Sequence, residues 1–262
     1  MFMKQRLTII KIGGALMESE ETIVNLANVL GEIPGHKVVV HGGGRKASDL
    51  SEKLGIEIEM IEGRRITNKE TLDVATMVYA GLYNKQLVSQ FQKNNVRSLG
   101  MSGADLNIIT SRKRPVRNVD YGFVGDIIKI DTSAMSELFN LNIVPVFCAI
   151  THDNNGQLLN TNADTIATMI AVKMADQYTV DLMYCMDKKG VLEDPDDDDS
   201  VISEIDYKRY KTLKMNGKIK LGLIPKMDNA FYALVNNVAD VWICNIDGLV
   251  DYPAIKGTRI CQ

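Results

Sequence analysis

Two glycine turns, at residues 11–14 (KIGG) and 41–44 (HGGG), are the first feature of the sequence that could do chemistry. Each turn follows an apolar, β-branched run, so each is predicted to end a strand. Glycine lets the backbone come close to a phosphate and point its N–H groups at it. Three consecutive glycines cost backbone entropy that an ordinary turn would avoid. The turns therefore predict an anion site, although KxGG alone is a weak signal and the sequence contains no GxxxxGK[ST] loop.

A polar cluster and a late lysine could complete this site. Asn160, Asn162 and Asp164 lie at the start of a helical pattern, and helix capping accounts for only one of them. Lys226 follows Pro225, a residue typical of a first helical turn, where the helix dipole disfavours a cation unless an anion compensates it. Two lysines, two glycine turns and one carboxylate are sufficient for phosphoryl transfer, which depends on positioning and charge neutralisation.

The sequence shows no strong general base near these residues. A hydroxyl acceptor would need such a base. A carboxylate acceptor is already ionised at neutral pH, because its reference pKa is about 4.3. The absence of a base therefore favours a carboxylate acceptor and an acyl phosphate product.

Apolar runs alternate with longer helical patterns, and this alternation predicts the elements that position the candidate residues. The predicted strands are 7–12, 37–41, 96–99, 143–150, 179–186 and 241–245, and the predicted helices are 20–32, 47–54, 68–94, 163–175 and 225–238. Continuous apolar strands are typical of a sheet covered on both faces. We therefore predict an α/β fold, a three-layer αβα sandwich around a mainly parallel central sheet. Segment 111–130 is predicted to form a hairpin, and Thr67 to cap the long helix with Glu70 as its capping-box partner.

Composition limits the class of partner. The 262 residues carry 30 basic and 33 acidic side chains, a formal charge of −3, which argues against a nucleic-acid partner. The sequence has neither a signal-peptide pattern at its start nor an apolar run of membrane-spanning length. We expect a cytoplasmic enzyme that acts on small molecules, without a membrane partner.

Three groups of side chains that could suggest metals or disulfides are interpreted more simply. Four cysteines, at 148, 185, 244 and 261, form no CxxC pair and are expected to be reduced thiols. The three histidines lack the spacing of metal ligands. The acidic run 194–199 is interpreted as a solvated loop, because adjacent like charges repel each other and cannot all face one ion. No protein-held metal is predicted.

The order of the motifs resembles that of the acetylglutamate kinases, in the amino-acid kinase superfamily. KIGG, VVVHGGG, GRRITNKET, YNK, GMSGAD, GFVGDI, GQLLNTNADTIA, the turn 187–192 and GLIPKM follow one another over nearly the whole chain. NxNAD and GxIPK are the specific parts. The resemblance implies ATP-dependent phosphorylation of the γ-carboxylate of N-acetyl-L-glutamate or a close N-acyl-glutamate, in arginine biosynthesis. It also implies Mg²⁺ carried by ATP and a homodimer.

The resemblance also assigns roles to individual residues. Its catalytic residues are Lys11, Asp164 and Lys226. Its substrate-binding residues are Gly42, Gly43, Gly44, Arg65, Asn160 and Asn162. Its nucleotide-binding residues are Gly13, Gly14, Asp187, Gly190, Val191, Leu192, Lys218, Ile219 and Lys220. Residues 1–176 are expected to form a lobe for the acyl-amino acid and the dimer contact, and residues 177–262 a lobe for ATP.

The sequence departs from the family pattern at four places. Arg45 and Lys46 stand where HGGG is usually followed by proline, Ala104 replaces a usual lysine, and Leu223 replaces a usual methionine. The chain begins almost at its first strand, so we expect a homodimer without arginine feedback. Arg45 and Lys46 form either a solvent-facing helix start or a site for an anionic acyl group such as succinyl.

Two other functions remain open from the sequence. One is a different amino-acid kinase, with carbamate or a free amino acid as acceptor. The other is a non-catalytic sensor on the same fold, which the presence of both lysines and of Asp164 disfavours.

Overall fold

The computed structural model describes residues 4–61, 64–219 and 222–262, so the predicted nucleotide-binding residue Lys220 lies outside the described residues. Strands β1 to β14 are Arg6–Ile12, His36–His41, Met60–Ile61, Arg64–Arg65, Ser98–Met101, Ile109–Lys113, Gly125–Ile130, Val144–Cys148, Ile150–His152, Leu158–Asn160, Thr179–Cys185, Glu204–Ile205, Asp240–Cys244 and Thr258–Ile260. Helices α1 to α8 are Glu20–Glu32, Gly44–Lys53, Lys69–Thr76, Asn84–Lys93, Thr132–Asn140, Ala163–Met174, Tyr207–Met215 and Ile224–Val235. A π-helical turn, Met77–Tyr83, joins α3 to α4.

An eight-stranded sheet in the order β12-β14-β13-β11-β1-β2-β8-β5 forms the centre of the fold. Its described strand pairs are parallel except for β13 and β14. The central strand β1 is buried from Leu7 to Ile12, as expected for a strand covered on both faces. Helix α1 packs on α4, while α6 packs on α8 and on strands β1, β2 and β11. The predicted αβα architecture with a mainly parallel sheet is confirmed.

The two halves of this sheet come from the two halves of the chain. Strands β12, β14, β13 and β11 all belong to residues 177–262, and strands β1, β2, β8 and β5 all belong to residues 1–176. Strands β11 and β1 meet at the junction. A smaller sheet, β10-β9-β6-β7, lies apart from the central one and contains the predicted hairpin as β6 and β7.

The long predicted helix forms, but its start and its middle differ from the prediction. Asn68 is the N-cap, since its side chain accepts a hydrogen bond from the N–H of Thr71 at 2.8 Å. Thr67 is buried and donates its hydroxyl to the carbonyl of Arg65, so the predicted Thr67 cap is wrong. The apolar positions of this helix, Leu82 among them, predicted one broad apolar stripe. The π turn adds one residue to a helical turn and so shifts that stripe. Leu82 is 43% exposed.

Other boundaries moved where tertiary contacts decide them. The predicted strand 143–150 is divided into β8 and β9, because the chain leaves the central sheet and enters the smaller one. Helix α2 begins at Gly44 rather than at 47, and the predicted strand 96–99 is shifted to Ser98–Met101. Helices α5 and α7 were not predicted. The four cysteines are free thiols, and all but Cys261 are buried. Among the described residues, no helix has the length and apolarity to cross a membrane.

Candidate active site

The two glycine turns face each other at one edge of the central sheet. Strands β1 and β2 are parallel neighbours, so their carboxyl ends, and the turns that follow, lie side by side. The N–H of Gly13 donates to the carbonyl of Cys185 at 3.0 Å, which ties the first turn to β11. A Cβ on Gly14 would lie 3.6 Å from the backbone nitrogen of Gly44 and 3.8 Å from that of Gly43. The two backbones therefore lie close together at this edge of the sheet.

Lys11, Asp164 and Lys226 meet beside these turns in one buried cluster, called here the lysine cluster. Lys11 lies near the end of β1, Asp164 in the first turn of α6 and Lys226 in the first turn of α8. Lys11 Nζ lies 2.7 Å from Asp164 Oδ1. Lys226 Nζ lies 3.0 Å from Asp164 Oδ1 and 3.1 Å from Oδ2. Asp164 is thus the anion that compensates a cation at the start of α8, as the dipole argument required.

The charges in the lysine cluster shift one another's ionisation. Burial by itself would raise the pKa of Asp164, but Lys11 and Lys226 outweigh it and hold that pKa well below the usual range. Burial, and then the charge of Lys11, lower the pKa of Lys226 to about 8 against the attraction of Asp164. Two buried cations share one anion, so the lysine cluster carries a net positive charge that favours binding of a further anion.

Thr168 and Tyr184, which the sequence analysis did not identify, contact Asp164 and Lys226 of the lysine cluster. The Thr168 hydroxyl donates to the carbonyl of Asp164 at 2.6 Å and accepts from the Tyr184 hydroxyl at 2.6 Å. Lys226 Nζ lies 4.9 Å from the centre of the Tyr184 ring, within the range of a cation–π contact. Both residues are buried. No distinct sequence signal marks either residue, because α6 also carries Thr165 and Lys173 and β11 also carries Thr179 and Asp181.

Arg65 is held next to the triple glycine with one nitrogen unused. Its Nη2 donates to the carbonyl of Gly44 at 2.9 Å and to the Ser48 hydroxyl at 2.6 Å. Its Nη1 is buried and has no hydrogen-bond partner among the described residues. A buried guanidinium donor without a partner is rare, and a carboxylate is the group that it binds best.

The structure separates the two predicted amides. Asn160 lies at the end of β10, and its side chain donates to the Thr67 hydroxyl at 3.1 Å, which in turn donates to the Arg65 carbonyl. Asn160 is therefore connected to the Arg65 segment. Asn162 is exposed and caps α6, accepting from the N–H of Thr165 at 3.0 Å. The one residue that capping explains is Asn162.

The middle glycine of the triplet is required by its packing. A Cβ on Gly43 would lie 2.7 Å from Tyr79 Cδ1 and 2.9 Å from Tyr83 Cδ2, closer than real Cβ contacts allow. The π turn places both rings on this glycine. Tyr79 and Tyr83 therefore hold the turn from one side, a function that the predicted apolar stripe did not reveal.

The predicted nucleotide-binding residues after β11 divide into buried and exposed ones. Gly190 and Val191 are buried, and the Val191 N–H donates to the Thr258 hydroxyl at 2.8 Å, which anchors the loop to β14. Lys218 is exposed and pairs with Glu193 at 2.9 Å. Of the other described members, Ile219 is buried, Leu192 half-buried and Asp187 exposed.

Arg45 with Lys46 and the acidic run 194–199 lie in solvent. The first agrees with a solvent-facing helix start and the second with a solvated loop. Arg45 pairs with Glu18 at 3.1 Å with its side chain 65% exposed, and Lys46 is exposed. All residues of the acidic run 194–199 are exposed, and lysines 188 and 189 pair with Asp198 and Asp199 at 2.6 Å each. Within the described ranges, no group of three or more His, Cys, Asp or Glu side chains is placed to hold a metal ion.

Comparisons with known proteins agree with this geometry. Residues 6–245 match the model of the amino acid kinase family. An acetylglutamate kinase from Bacteroides thetaiotaomicron is 48% identical over 258 residues, which cover 98% of this chain and 99% of the relative.

Solved structures share the fold. The crystal structure of smu.665 from Streptococcus mutans matches with a TM-score of 0.79 at 25% identity, over 97% of this chain and 98% of that one. A carbamate kinase from Giardia lamblia matches with a TM-score of 0.67 at 15% identity, over 99% of both chains, and this likeness concerns the fold alone. The chain therefore belongs to the amino acid kinase family and, within it, to the acetylglutamate kinases.

Proposed function

We propose that this protein transfers the γ-phosphoryl group of ATP to the γ-carboxylate of N-acetyl-L-glutamate, giving an acyl phosphate and ADP, as a step of arginine biosynthesis. The lysine cluster supports this proposal most directly. Two buried lysines share one carboxylate beside two glycine turns, so the site favours an added anion. A relative named acetylglutamate kinase at 48% identity supports the choice of acceptor.

The proposed reaction needs no proton transfer. A γ-carboxylate oxygen forms a bond to the γ-phosphorus while the bond from that phosphorus to the bridging oxygen breaks, and the electron pair leaves with ADP. Lys11 and Lys226 neutralise the charge on the equatorial oxygens. Asp164 holds both ammonium groups within 3.1 Å of its carboxylate and so fixes their spacing. The low pKa of Asp164 keeps it an anion and excludes it as a proton donor.

Mg²⁺ is expected to reach the site on the phosphates of ATP, because both lysines already bind Asp164, the carboxylate of the lysine cluster. We further propose that ATP binds over residues 177–262 and the acyl-amino acid over residues 1–176. The division of the central sheet into two halves at β11 and β1 supports this assignment. The lysine cluster joins the halves, since Lys11 and Asp164 come from one and Lys226 from the other.

The acceptor's α-carboxylate is proposed to bind the unused Nη1 of Arg65, with Asn160 beside it. The geometry supports acetyl over succinyl as the acyl group. Arg45 and Lys46, the cations considered for a succinyl carboxylate, are both exposed, and Arg45 is already paired with Glu18.

A second copy of the chain is proposed to cover strand β5. This strand is one edge of the central sheet and carries Leu99 on its exposed side. The π turn, which leads into the helix α4 that packs on β5, exposes Met77 and Leu82. Unpaired sheet edges with apolar side chains favour association. Sedimentation velocity should show a dimer, and Leu99→Glu should shift it towards the monomer.

We place the reaction in the cytoplasm, where ATP is supplied.

Hydroxamate trapping of the acyl phosphate tests the proposed function. ATP-dependent hydroxamate is expected with N-acetylglutamate at a kcat/KM above that for N-succinylglutamate, and none with free glutamate. Arg65→Ala should raise KM for N-acetylglutamate about 10- to 100-fold, the loss of one or two charge-assisted hydrogen bonds. The neighbouring exposed residue provides the control, Arg64→Ala, which should leave KM unchanged. Absence of product from both N-acylglutamates would contradict the proposal.

A further inference from the structure

His41, the last residue of β2, makes two hydrogen bonds that determine the state of its ring. It is completely buried. Its Nδ1 lies 2.8 Å from the carbonyl oxygen of Gly42, and its Nε2 lies 3.1 Å from Nδ2 of Asn84. A carbonyl oxygen only accepts, so Nδ1 carries the proton and Nε2 accepts from Asn84. Burial lowers the pKa of His41 to about 4, against the bond to Gly42, and keeps the ring neutral at neutral pH.

Asn84 is equally constrained. Its Nδ2 also donates to the carbonyl of Val146 at 2.8 Å, which fixes the orientation of the amide, and its Oδ1 accepts from Lys85 Nζ at 3.3 Å. A Cβ on Gly100 would lie 1.9 Å from Asn84 Oδ1. Only glycine at position 100 therefore leaves room for the amide. Asn84 follows the π turn directly, so that turn determines where its side chain points.

These bonds decide the direction of a backbone N–H in the candidate site. In a trans peptide the carbonyl and the N–H point to opposite sides. Because His41 holds the Gly42 carbonyl, the Gly43 N–H is turned away from His41, towards the side where Gly14 approaches. In the described part of the chain, neither the Gly43 N–H nor the Gly44 N–H donates to a protein acceptor.

We propose that His41 and Asn84 are positioning residues, which hold the Gly42–Gly43 peptide so that the Gly43 N–H faces the transferring phosphoryl group. This inference rests on the proposed function. The two residues touch neither substrate; they act through the peptide. The rings of Tyr79 and Tyr83, packed on Gly43, oppose rotation of the same peptide from the other side.

Two variants test the proposal, each with a matched control. Asn84→Ala removes the bond to His41, and Gly100→Ala displaces the Asn84 amide from a neighbouring strand. Removing one donor of this kind lowers kcat about 100- to 1,000-fold, and a misdirected donor should cost less. We expect each variant to lower kcat about 10- to 100-fold, with KM for ATP and for N-acetylglutamate within about twofold of wild type.

The controls separate positioning from loss of stability. Leu87→Ala removes a fully buried side chain one turn beyond Asn84 and should destabilise the fold while kcat stays within about twofold. Gly31→Ala adds a Cβ where nothing lies within 4 Å and should change neither quantity. The kcat of each variant is measured at a temperature that lies the same number of degrees below its own Tm, so that differences in stability do not affect the comparison. A kcat loss in Leu87→Ala equal to that in Asn84→Ala, or normal kcat in both test variants, would overturn the proposal.

An NMR measurement gives a readout that does not depend on activity. The ¹⁵N resonances of His41 should show a protonated Nδ1 and an unprotonated Nε2 in wild type, and a shifted Nε2 in Asn84→Ala. A protonated Nε2 in wild type would refute the positioning role even if the variants failed to fold. If wild type phosphorylated a different acceptor from the hydroxamate panel, the proposed function would fail, and the variants would be assayed with that acceptor.

Discussion

The two ends of the central strands carry charge clusters of different kinds. At the amino ends, Arg6 lies 3.4 Å from Asp181, and Arg259 bonds to Asp240 at 2.6 Å; we call these four residues the amino-edge cluster. Both arginine side chains there are 43% exposed. At the carboxyl ends lies the lysine cluster, whose side chains are at most 12% exposed.

The difference lies in balance and burial. In the amino-edge cluster two anions match two cations, and water reaches the guanidinium groups, so each pair contributes little to stability. In the lysine cluster two cations face one anion away from water, an arrangement whose desolvation penalty exceeds what one carboxylate returns. The protein gives up stability at the carboxyl edge, and an anionic ligand that binds there removes the imbalance.

Lys226→Met should have the largest effect on turnover. If it did not, the contrast between the lysine cluster and the amino-edge cluster would be wrong. Removing one cation leaves the balanced pair Lys11–Asp164, so the free energy of unfolding should stay equal or rise. Turnover should fall about 1,000-fold, because about 4 kcal/mol of transition-state stabilisation is lost. Steady-state kinetics and urea unfolding measure the two quantities. A stability loss with normal kcat would mean that Lys226 is structural.

The pH dependence of activity should come next in size. With the pKa of Lys226 lowered to about 8, the free enzyme loses this cation as the pH rises through that value. kcat/KM for ATP should therefore fall about tenfold per pH unit above about pH 8. Lys226→Arg stays charged, so its profile should lack this descending limb at whatever rate it works. The same limb in Lys226→Arg would assign the titration to another group.

The two buried aspartates should respond to acid in opposite directions. The folded pKa of Asp164 is depressed, so its stabilising contribution is present above its unfolded pKa of about 3.9 and is lost as the pH falls below that. Burial raises the folded pKa of Asp181, so its contribution is present in acid and is lost as the pH rises through that raised value. Urea unfolding from pH 3 to 7 measures the difference in free energy of unfolding between wild type and each variant. As the pH falls, wild type should become less stable relative to Asp164→Asn and more stable relative to Asp181→Asn. Equal pH responses would contradict the sign of one shift.

Arg259→Ala should have the smallest effect. Loss of its bond to Asp240 should lower the free energy of unfolding by less than about 1 kcal/mol, and less still at high salt, because the pair is partly exposed. Its kcat should equal that of wild type. A kcat decrease would show that the amino-edge cluster communicates with the candidate site.

Much of the fold was predictable because its signals are local. Helix α1 was predicted with its exact bounds, and most strands of the central sheet within one or two residues, since continuous apolar runs and capping residues act over a few positions. The division at Ala149 was not predictable, because the apolar pattern continues while the chain passes between two sheets. The π turn was also missed, since an extra residue in a helical turn leaves no mark on composition.

The candidate site shows the same limit. The glycine turns, Asp164 and Lys226 were recognisable because each breaks a local rule: extra glycines after a strand, or a charge where capping or the helix dipole does not explain it. Asn84 broke no local rule, because Lys85 and Gln86 follow it in a helical pattern, and its role depends on Gly100 and His41, which lie far away in sequence.

The sequence by itself determined the order of the elements, the two glycine turns and the chemical types at the site, because backbone propensity and side-chain chemistry belong to single residues. Only the tertiary structure decided how Asp164 reaches both lysines, and that one amide caps a helix while the other supports Arg65. Lys226 and Asp164 are 62 positions apart and Asn84 and His41 are 43 apart. Contacts at such separations arise when parallel strands bring their carboxyl ends to one edge, and that pairing is a property of the whole sheet.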